Sequence, residues 1–544
     1  MILTFFQFLI FVKCDELLVI TSGGMLLGRE FKSRNGRVVA AFSGIPFAKP
    51  PIGFLRFQDP QPPEPWSGVR DANNYGSVCV QLTYLYPPVE TTMMGHEDCL
   101  YLSVYTPKLN PARLLPVMVY FHGGGFAEGS GEVDRSPEFF LDHDVVMVMP
   151  NYRLGPLGFL SMEDAILAGN MGLKDQVMAL VWVHNNIANF GGDPGQVTLI
   201  GESAGGASVH YHMYSPMSRG LFHRVIGHSG YALSPWASTA PGVARRRAVK
   251  VAQLLQCPID CSKVIADCLR TKNSYEITKL YRNFTVFQND PLVVFVPVID
   301  ANASNPFLSF DPHQSEAAPV PWLTGVVSLE GIFRTAAFIR QEGSLDVFEQ
   351  NFYQLVPVAM MYEDTAQNPN EITNKLKAFY FNNQTITNLL FKNLTDMFSD
   401  IFFLWPMIKS LQLHKGPQYV FYFDYLGQTS GQEVLATRRV LRGATHSDET
   451  IYIWKNNNPF SVQPPTTRTD LRLSHLFVNL LVNFATYGEP TPKGSEFSWP
   501  LWENQEQKFI SFENQGVVQD HSFLEDRMKF WARLNVRNKV DRCA

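Results

Sequence analysis

The stretch from Val197 to His210 reads VTLIGESAGGASVH. Four strand-forming residues, Val197 to Ile200, run straight into Gly201-Glu202-Ser203-Ala204-Gly205, and the small residues Gly206, Ala207 and Ser208 follow. This is the pattern of strand, sharp turn and helix, with a serine at the turn. A serine there sits in strained backbone, and its small neighbours let strand and helix approach. The turn lifts the hydroxyl to where a base can reach it. A serine hydroxyl so activated attacks acyl carbon and forms a covalent intermediate.

Such a serine needs a base, and the base needs a carboxylate to hold its tautomer. In strand–turn–helix sites the chain order is serine, acid, histidine. Among thirteen histidines, His446 stands in a short polar loop, Gly443-Ala444-Thr445-His446-Ser447-Asp448-Glu449. His414 lies in a Lys-Gly setting that reads as exposed, His475 within a helical pattern and His521 in a polar loop near the end. The acid belongs at the end of a strand. Glu330 closes the apolar run Trp322 to Leu329, and Asp300 closes Val294 to Ile299; periodicity does not choose between them. Charge developing on the carbonyl oxygen needs preorganised N–H donors. Gly123-Gly124-Gly125 follows the buried run Leu115 to Phe121, and the N–H after the nucleophile, on Ala204, is the usual further donor.

The elements around these residues alternate. Leu100 to Tyr105, Leu115 to Phe121 and Val145 to Met149 read as strands, as do Val294 to Ile299 and Trp322 to Leu329. Residues 15–60 read as a hairpin region and 48–65 as Pro-rich surface chain. Helical spacing marks 173–189, 242–256, 370–413, 470–487 and 523–536. Strands interleaved with helices predict an α/β fold with a large, mostly parallel sheet covered on both faces. No internal repeat or flexible linker interrupts the 544 residues, so residues 15–544 read as one domain.

Hydrophobic residues make up 45% of the chain and charged residues 17%, which suits a globular protein. The net charge of −5 and the lack of a basic stripe give nucleic-acid binding no electrostatic support. Residues 1–14 read as a signal peptide: the apolar run from Met1 to Val12 is shorter than the roughly 20 residues that span a bilayer. No later run is apolar enough for a span. A secreted chain makes Asn283, Asn302, Asn383 and Asn393, each in N-x-S/T, candidate glycosylation sites. Six cysteines remain after Cys14, with their pairing open. Their spacing matches no zinc site, and no feature calls for a metal or cofactor.

These residues resemble the type-B carboxylesterase family of α/β-hydrolases, the carboxylesterase and cholinesterase group. The likeness is carried by GIPFAKPPIGFLRF (44–57), EDCLYLSVYTP (97–107), YFHGGGF (120–126), NYRLGPLGF (151–159), GNMGLKDQ (169–176), GESAGG (201–206), LEG (329–331) and GATHSDE (443–449), in the family's order. It is strongest to secreted insect carboxylesterases. The resemblance implies an α/β-hydrolase fold, with Ser203 as nucleophile, Glu330 as acid and His446 as base. It implies oxyanion donors at Gly124, Gly125 and Ala204, and disulfides Cys79–Cys99 and Cys257–Cys268. Ser229 matches a second serine near the acid. The expected partner is a small-molecule ester; the oligomeric state is open, as are the states of Cys261 and Cys543.

Departures narrow the substrate. Cholinesterases carry a cation-binding tryptophan between the first two disulfide cysteines; here that loop has Tyr84 and Tyr86 and no tryptophan, which argues against a quaternary ammonium substrate. Juvenile hormone esterases usually carry Gln where this chain has Glu202. Family members that have become adhesion proteins lose the serine, the histidine or the glycines, and this chain keeps all of them.

Overall fold

The run Leu115–Phe121 is buried at every position because it lies at the centre of an eleven-stranded sheet. The strands are β1 (Arg29–Lys32), β2 (Val38–Pro46), β3 (Tyr101–Thr106), β4 (Leu115–Phe121), β5 (Val146–Pro150), β6 (Gly192–Glu202), β7 (Arg224–His228), β8 (Trp322–Val327), β9 (Gln418–Phe423), β10 (Phe509–Glu513) and β11 (Gly516–Asp520). Their spatial order is β11-β10-β9-β8-β7-β6-β4-β5-β3-β2-β1. Neighbours from β10 through β5 run parallel, and the outer pairs are antiparallel. The expected parallel sheet therefore forms the centre of a mixed one. The computed structural model describes residues 17–83, 92–457, 462 and 464–537. The expected signal peptide, Cys543, Tyr84 and Tyr86 lie outside the described residues.

Successive side chains of a strand point to opposite faces. Val117, Val119 and Phe121 of β4 accordingly join one apolar cluster, and Met118 and Tyr120 join the other. On the first face pack α1 (Met171–Asn186), through Val177, Leu180 and Val183, and α2 (Ala204–Tyr214), through Ala207, Val209 and Tyr211. A short helix, α3 (Ile332–Arg340), follows β8. On the second face packs α4 (Arg468–Tyr487), through Phe477, Leu481 and Phe484.

The direction of winding reverses at β4 and β6. From β4 the chain steps to β5 on one side, and from β6 it moves outward the other way through β7 to β10. Ligands of open α/β sheets bind at such a switch point, beyond the carboxyl ends of the strands. The glycine run follows β4, Ser203 follows β6, Glu330 follows β8, and His446 lies on the long connection after β9.

One expected strand is absent. Val294 to Ile299 is irregular, and β7 pairs directly with β8. Pro297 removes a ladder donor from this run. The Asn170 side chain instead donates to Val298 O at 2.7 Å and accepts from Val298 N at 2.9 Å.

Candidate active site

Ser203 has φ 58° and ψ −124°, a conformation that costs a non-glycine residue on the order of 1–3 kcal/mol. The fold over-determines it. Its N–H donates to His228 O at 2.9 Å, and its carbonyl accepts from Ala207 N at 2.9 Å. The glycines are dictated by contact: a Cβ on Gly201 would lie 2.3 Å from Gly205 O, one on Gly205 2.0 Å from Phe121 O, and one on Gly230 1.8 Å from Ser203 O. Strand, turn and helix thus approach as closely as backbone allows.

Glu330 and His446 are brought together by backbone pairing. Leu329 and Thr445 form an isolated parallel bridge, in which Leu329 N donates to Ala444 O at 2.8 Å. The next residue on each side is Glu330 or His446. His446 Nδ1 donates to Glu330 Oε2 at 2.6 Å, the tautomer being set by the carboxylate acceptor. Glu330 Oε1 accepts from Ser229 Oγ at 2.6 Å and from Val327 N at 3.0 Å. Asp448 holds the histidine loop by accepting from Thr445 N and Ser430 Oγ, at 2.9 and 2.6 Å. Burial pushes the Asp448 carboxyl up to about 7.

The other ring nitrogen, His446 Nε2, lies 3.2 Å from Glu202 Oε1. Ser203 Oγ forms no hydrogen bond among the described residues, so the base meets the residue before the nucleophile here. Glu202 Oε1 also accepts from Ser447 Oγ at 2.6 Å, and its Oε2 pairs with Arg135 Nη2 at 3.4 Å. Burial acts to lower the His446 pKa, but the carboxylates of Glu202 and Glu330 outweigh it and hold the ring up at about 9. Glu449 is fully buried, 3.5 Å from His228 Nδ1, and neither of its oxygens is hydrogen-bonded among the described residues. Burial, then Glu202 and Glu330, push its carboxyl well above the usual range, so it is held neutral.

The glycine run lies against the turn. A Cβ on Gly123 would stand 3.2 Å from Ser203 Cβ. Gly124 and Gly125 have φ of 98° and 59°, and their N–H groups make no hydrogen bond among the described residues. Gly124 O is used by Ala127 N and Glu128 N, both at 3.0 Å, which fixes the loop. Ala204 is the first residue of α2, where N–H groups lack an intrahelical acceptor. The rings of Phe403 and Phe333 lie 4.7 and 5.2 Å from that of His446, and an aromatic wall runs on through Trp236 to Phe126.

The rival residues have other partners. Asp300 accepts from Phe307 N and Leu308 N at 3.0 and 2.7 Å and lies 3.7 Å from Lys174. His414, which the sequence places at the surface, is buried: Nε2 donates to Val320 O at 2.9 Å and the ring packs on Trp322. His475 lies 3.0 Å from Arg34, and His521 is 76% exposed. The roles of Arg135 and Glu449 have no local signal in the sequence. Glu449 belongs to the histidine loop, but its burial depends on distant elements.

Disulfides join Cys79 to Cys99 and Cys257 to Cys268, and Cys261 is exposed and free. Asn283, Asn302 and Asn383 are exposed; Asn393 is half-buried and its side-chain nitrogen donates to Tyr380 O at 2.9 Å. Among the described residues, no group of three or more His, Cys, Asp or Glu is placed to hold a metal ion, and no helix is long and apolar enough to cross a membrane.

The carboxylesterase family model matches residues 15–531. The chain is 36% identical to the juvenile hormone esterase of Tribolium castaneum, covering 95% of this chain and 94% of that protein. It is 35% identical to venom carboxylesterase-6 of Apis mellifera, with the same coverage, and 38% identical to esterase FE4 of Myzus persicae, covering 89% and 86%. The chain belongs to the carboxylesterase family, and its fold is that of the α/β-hydrolases. It is a carboxylic ester hydrolase by family.

Proposed function

We propose that this protein is a secreted serine carboxylesterase that cleaves small to medium carboxyl esters through an acyl-enzyme. Ser203 is the nucleophile, His446 the general base and Glu330 the acid that orients and stabilises the imidazolium. The observation that carries the reading is the 2.6 Å Nδ1–Oε2 bond between His446 and Glu330, fixed by the Leu329–Thr445 bridge beside the strained serine turn.

His446 takes the proton of Ser203 as the hydroxyl oxygen attacks the ester carbonyl. The oxyanion develops towards the N–H groups of Gly124, Gly125 and Ala204, and the enzyme gains because these donors are preorganised. His446 then protonates the departing alkoxide. Water, deprotonated by the same ring, attacks the acyl-enzyme and releases the acid. For the ring to accept the serine proton, it must first be neutral and must turn its Nε2 from Glu202 to Ser203.

The apolar first twelve residues, the two disulfides and a relative named as a venom protein support secretion. Residues 15–544 form the mature domain. Glycans attach at Asn283 and Asn383 ahead of Asn302 and Asn393, whose side-chain amides already donate to Glu163 O and Tyr380 O. The substrate is a general or detoxified ester, with hormone, pheromone or odorant esters in the same class. Likeness to a juvenile hormone esterase favours the hormone among these, and Glu202 in place of the usual Gln weighs against it.

Labelling with a fluorophosphonate tests the site assignment. The adduct is expected on the peptide that carries Ser203 and not on Ser203→Ala protein; an adduct on another serine would refute the assignment. Expression in insect cells with sequencing of the N-terminus tests secretion, since the mature chain is expected in the medium, starting near Asp15.

A further inference from the structure

A cavity of about 520 Å³ lies apart from the site: Ser203, Glu330 and His446 do not line it. This volume is in the range of small-molecule sites, roughly 300–1,000 Å³. A π-helical turn, Asp400–Leu404, stands between the two. Ile401 lines the cavity, and Phe403 lies against the His446 ring. Trp236 pins this turn by donating its indole N–H to Phe402 O at 2.9 Å. Such turns recur at functional sites.

The cavity has an apolar body and a cationic wall. Trp405, Tyr362 and Trp531 contribute the body, and Lys409, Arg247 and Arg537 the charge. Two acids also line it: Glu363 is exposed, and Asp364 is paired with Arg246 at 2.6 Å. Lys409 is half-buried and forms no ion pair among the described residues. The charges near it are Arg537, of its own sign, and Asp311, which already accepts from the backbone and ring of His313 at 2.9 Å. Arg537 donates to Ser238 Oγ at 3.3 Å and has no carboxylate partner among the described residues. Partly desolvated cations are stabilised when an anion with hydrogen-bond acceptors joins them.

We propose that this cavity is a second binding site, for a carboxylate borne on an apolar chain. The headgroup meets Lys409 and Arg537, and the chain lies along Trp405, Trp531 and Ile401. The ligand is a fatty or similar organic acid and not the ester, because the cationic wall rewards a full negative charge. The site does not depend on the chemistry proposed for Ser203.

Calorimetric titration of the full chain with sodium dodecanoate, and separately with dodecanol, tests this. Neither ligand is an ester, so binding is read whether or not the protein hydrolyses esters. Saturable dodecanoate binding is expected, weakened tenfold or more in Lys409→Gln, retained in Lys409→Arg, and with dodecanol affinity altered less than twofold by either change. Lys409 is half-exposed, so these variants keep the fold; circular dichroism checks it. Absence of saturable dodecanoate binding, or equal affinity in wild type and Lys409→Gln, overturns the proposal.

Discussion

Leu329 and Thr445, 116 residues apart, pair as a single parallel β-bridge, and the residue after each is Glu330 or His446. Side-chain geometry at the site is therefore inherited from backbone pairing. Glu330→Gln keeps this pairing and the side-chain volume but removes the charge that holds the imidazolium. By analogy with the corresponding change in a serine protease triad, kcat is expected to fall on the order of 10⁴ with KM little changed. Steady-state kinetics on a chromogenic ester measures it; a loss under tenfold would remove Glu330 from the proposed mechanism.

The approach of His446 Nε2 to Glu202 has a consequence for pH dependence. Glu202, Glu330 and Glu449 face the ring, and Arg135 opposes Glu202 from its far oxygen. The ring is held up at about 9, above the usual 6.5, so it is protonated and inactive as a base below that range. Activity is expected to rise with pH, with a midpoint above 6.5 in kcat/KM. Glu202→Gln removes a raising charge and moves the midpoint down. Arg135→Gln leaves Glu202 unopposed and moves it up, an effect that vanishes in the double variant. Profiles that coincide for all four proteins would show that Glu202 does not set the histidine's charge.

Gly124 combines φ of 98° with no room for a side chain: a Cβ would stand 2.0 Å from Glu128 O. Gly124→Ala must displace the loop that aims the proposed oxyanion donors. Loss of one such donor costs about 10²–10³ in kcat. The variant is expected to lose at least that much while its thermal midpoint falls only modestly. Retention of more than a tenth of the wild-type kcat would place the oxyanion elsewhere.

What was legible in the sequence is what local pattern controls. The serine turn could be read because its glycines are demanded by contacts within one strand–turn–helix unit. The sheet centre could be read because buried parallel strands are apolar throughout. Glu330 and Asp300 could not be separated by periodicity, since both close apolar runs. Family resemblance pointed to Glu330; in the fold, Pro297 and the Asn170 side chain keep the second run out of the sheet. His414 looked exposed beside Lys415 and Gly416, yet it packs on Trp322, far away in the chain. The cluster of Glu202, Glu449 and Arg135 and the Lys409 cavity are assembled by the tertiary fold alone.

Glu132 gives a stability prediction outside the site. It is buried and accepts from Ser43 Oγ at 3.1 Å, with Ser103 as a second partner. Burial outweighs these two bonds and pushes its carboxyl up to about 8. Below about pH 4.5 the folded and unfolded states both hold the proton; between 4.5 and 8 only the folded state does. The unfolded state then binds fewer protons, so this group lowers stability as pH rises through that window. Glu132→Gln, neutral throughout, is expected to match wild type in thermal midpoint at pH 5 and exceed it at pH 8.5. A difference that does not change with pH would contradict a protonated Glu132.

The most direct measurement is the hydrolysis of a short-chain p-nitrophenyl ester by the mature protein beside Ser203→Ala. Wild type is expected to turn over, and the variant to lose on the order of 10⁶ in kcat, as when other triads lose their serine. Equal rates in the two proteins, or an inert wild type across an acyl-chain series extended to juvenile hormone and bulky lipid esters, would contradict the proposal that Ser203 forms the acyl-enzyme.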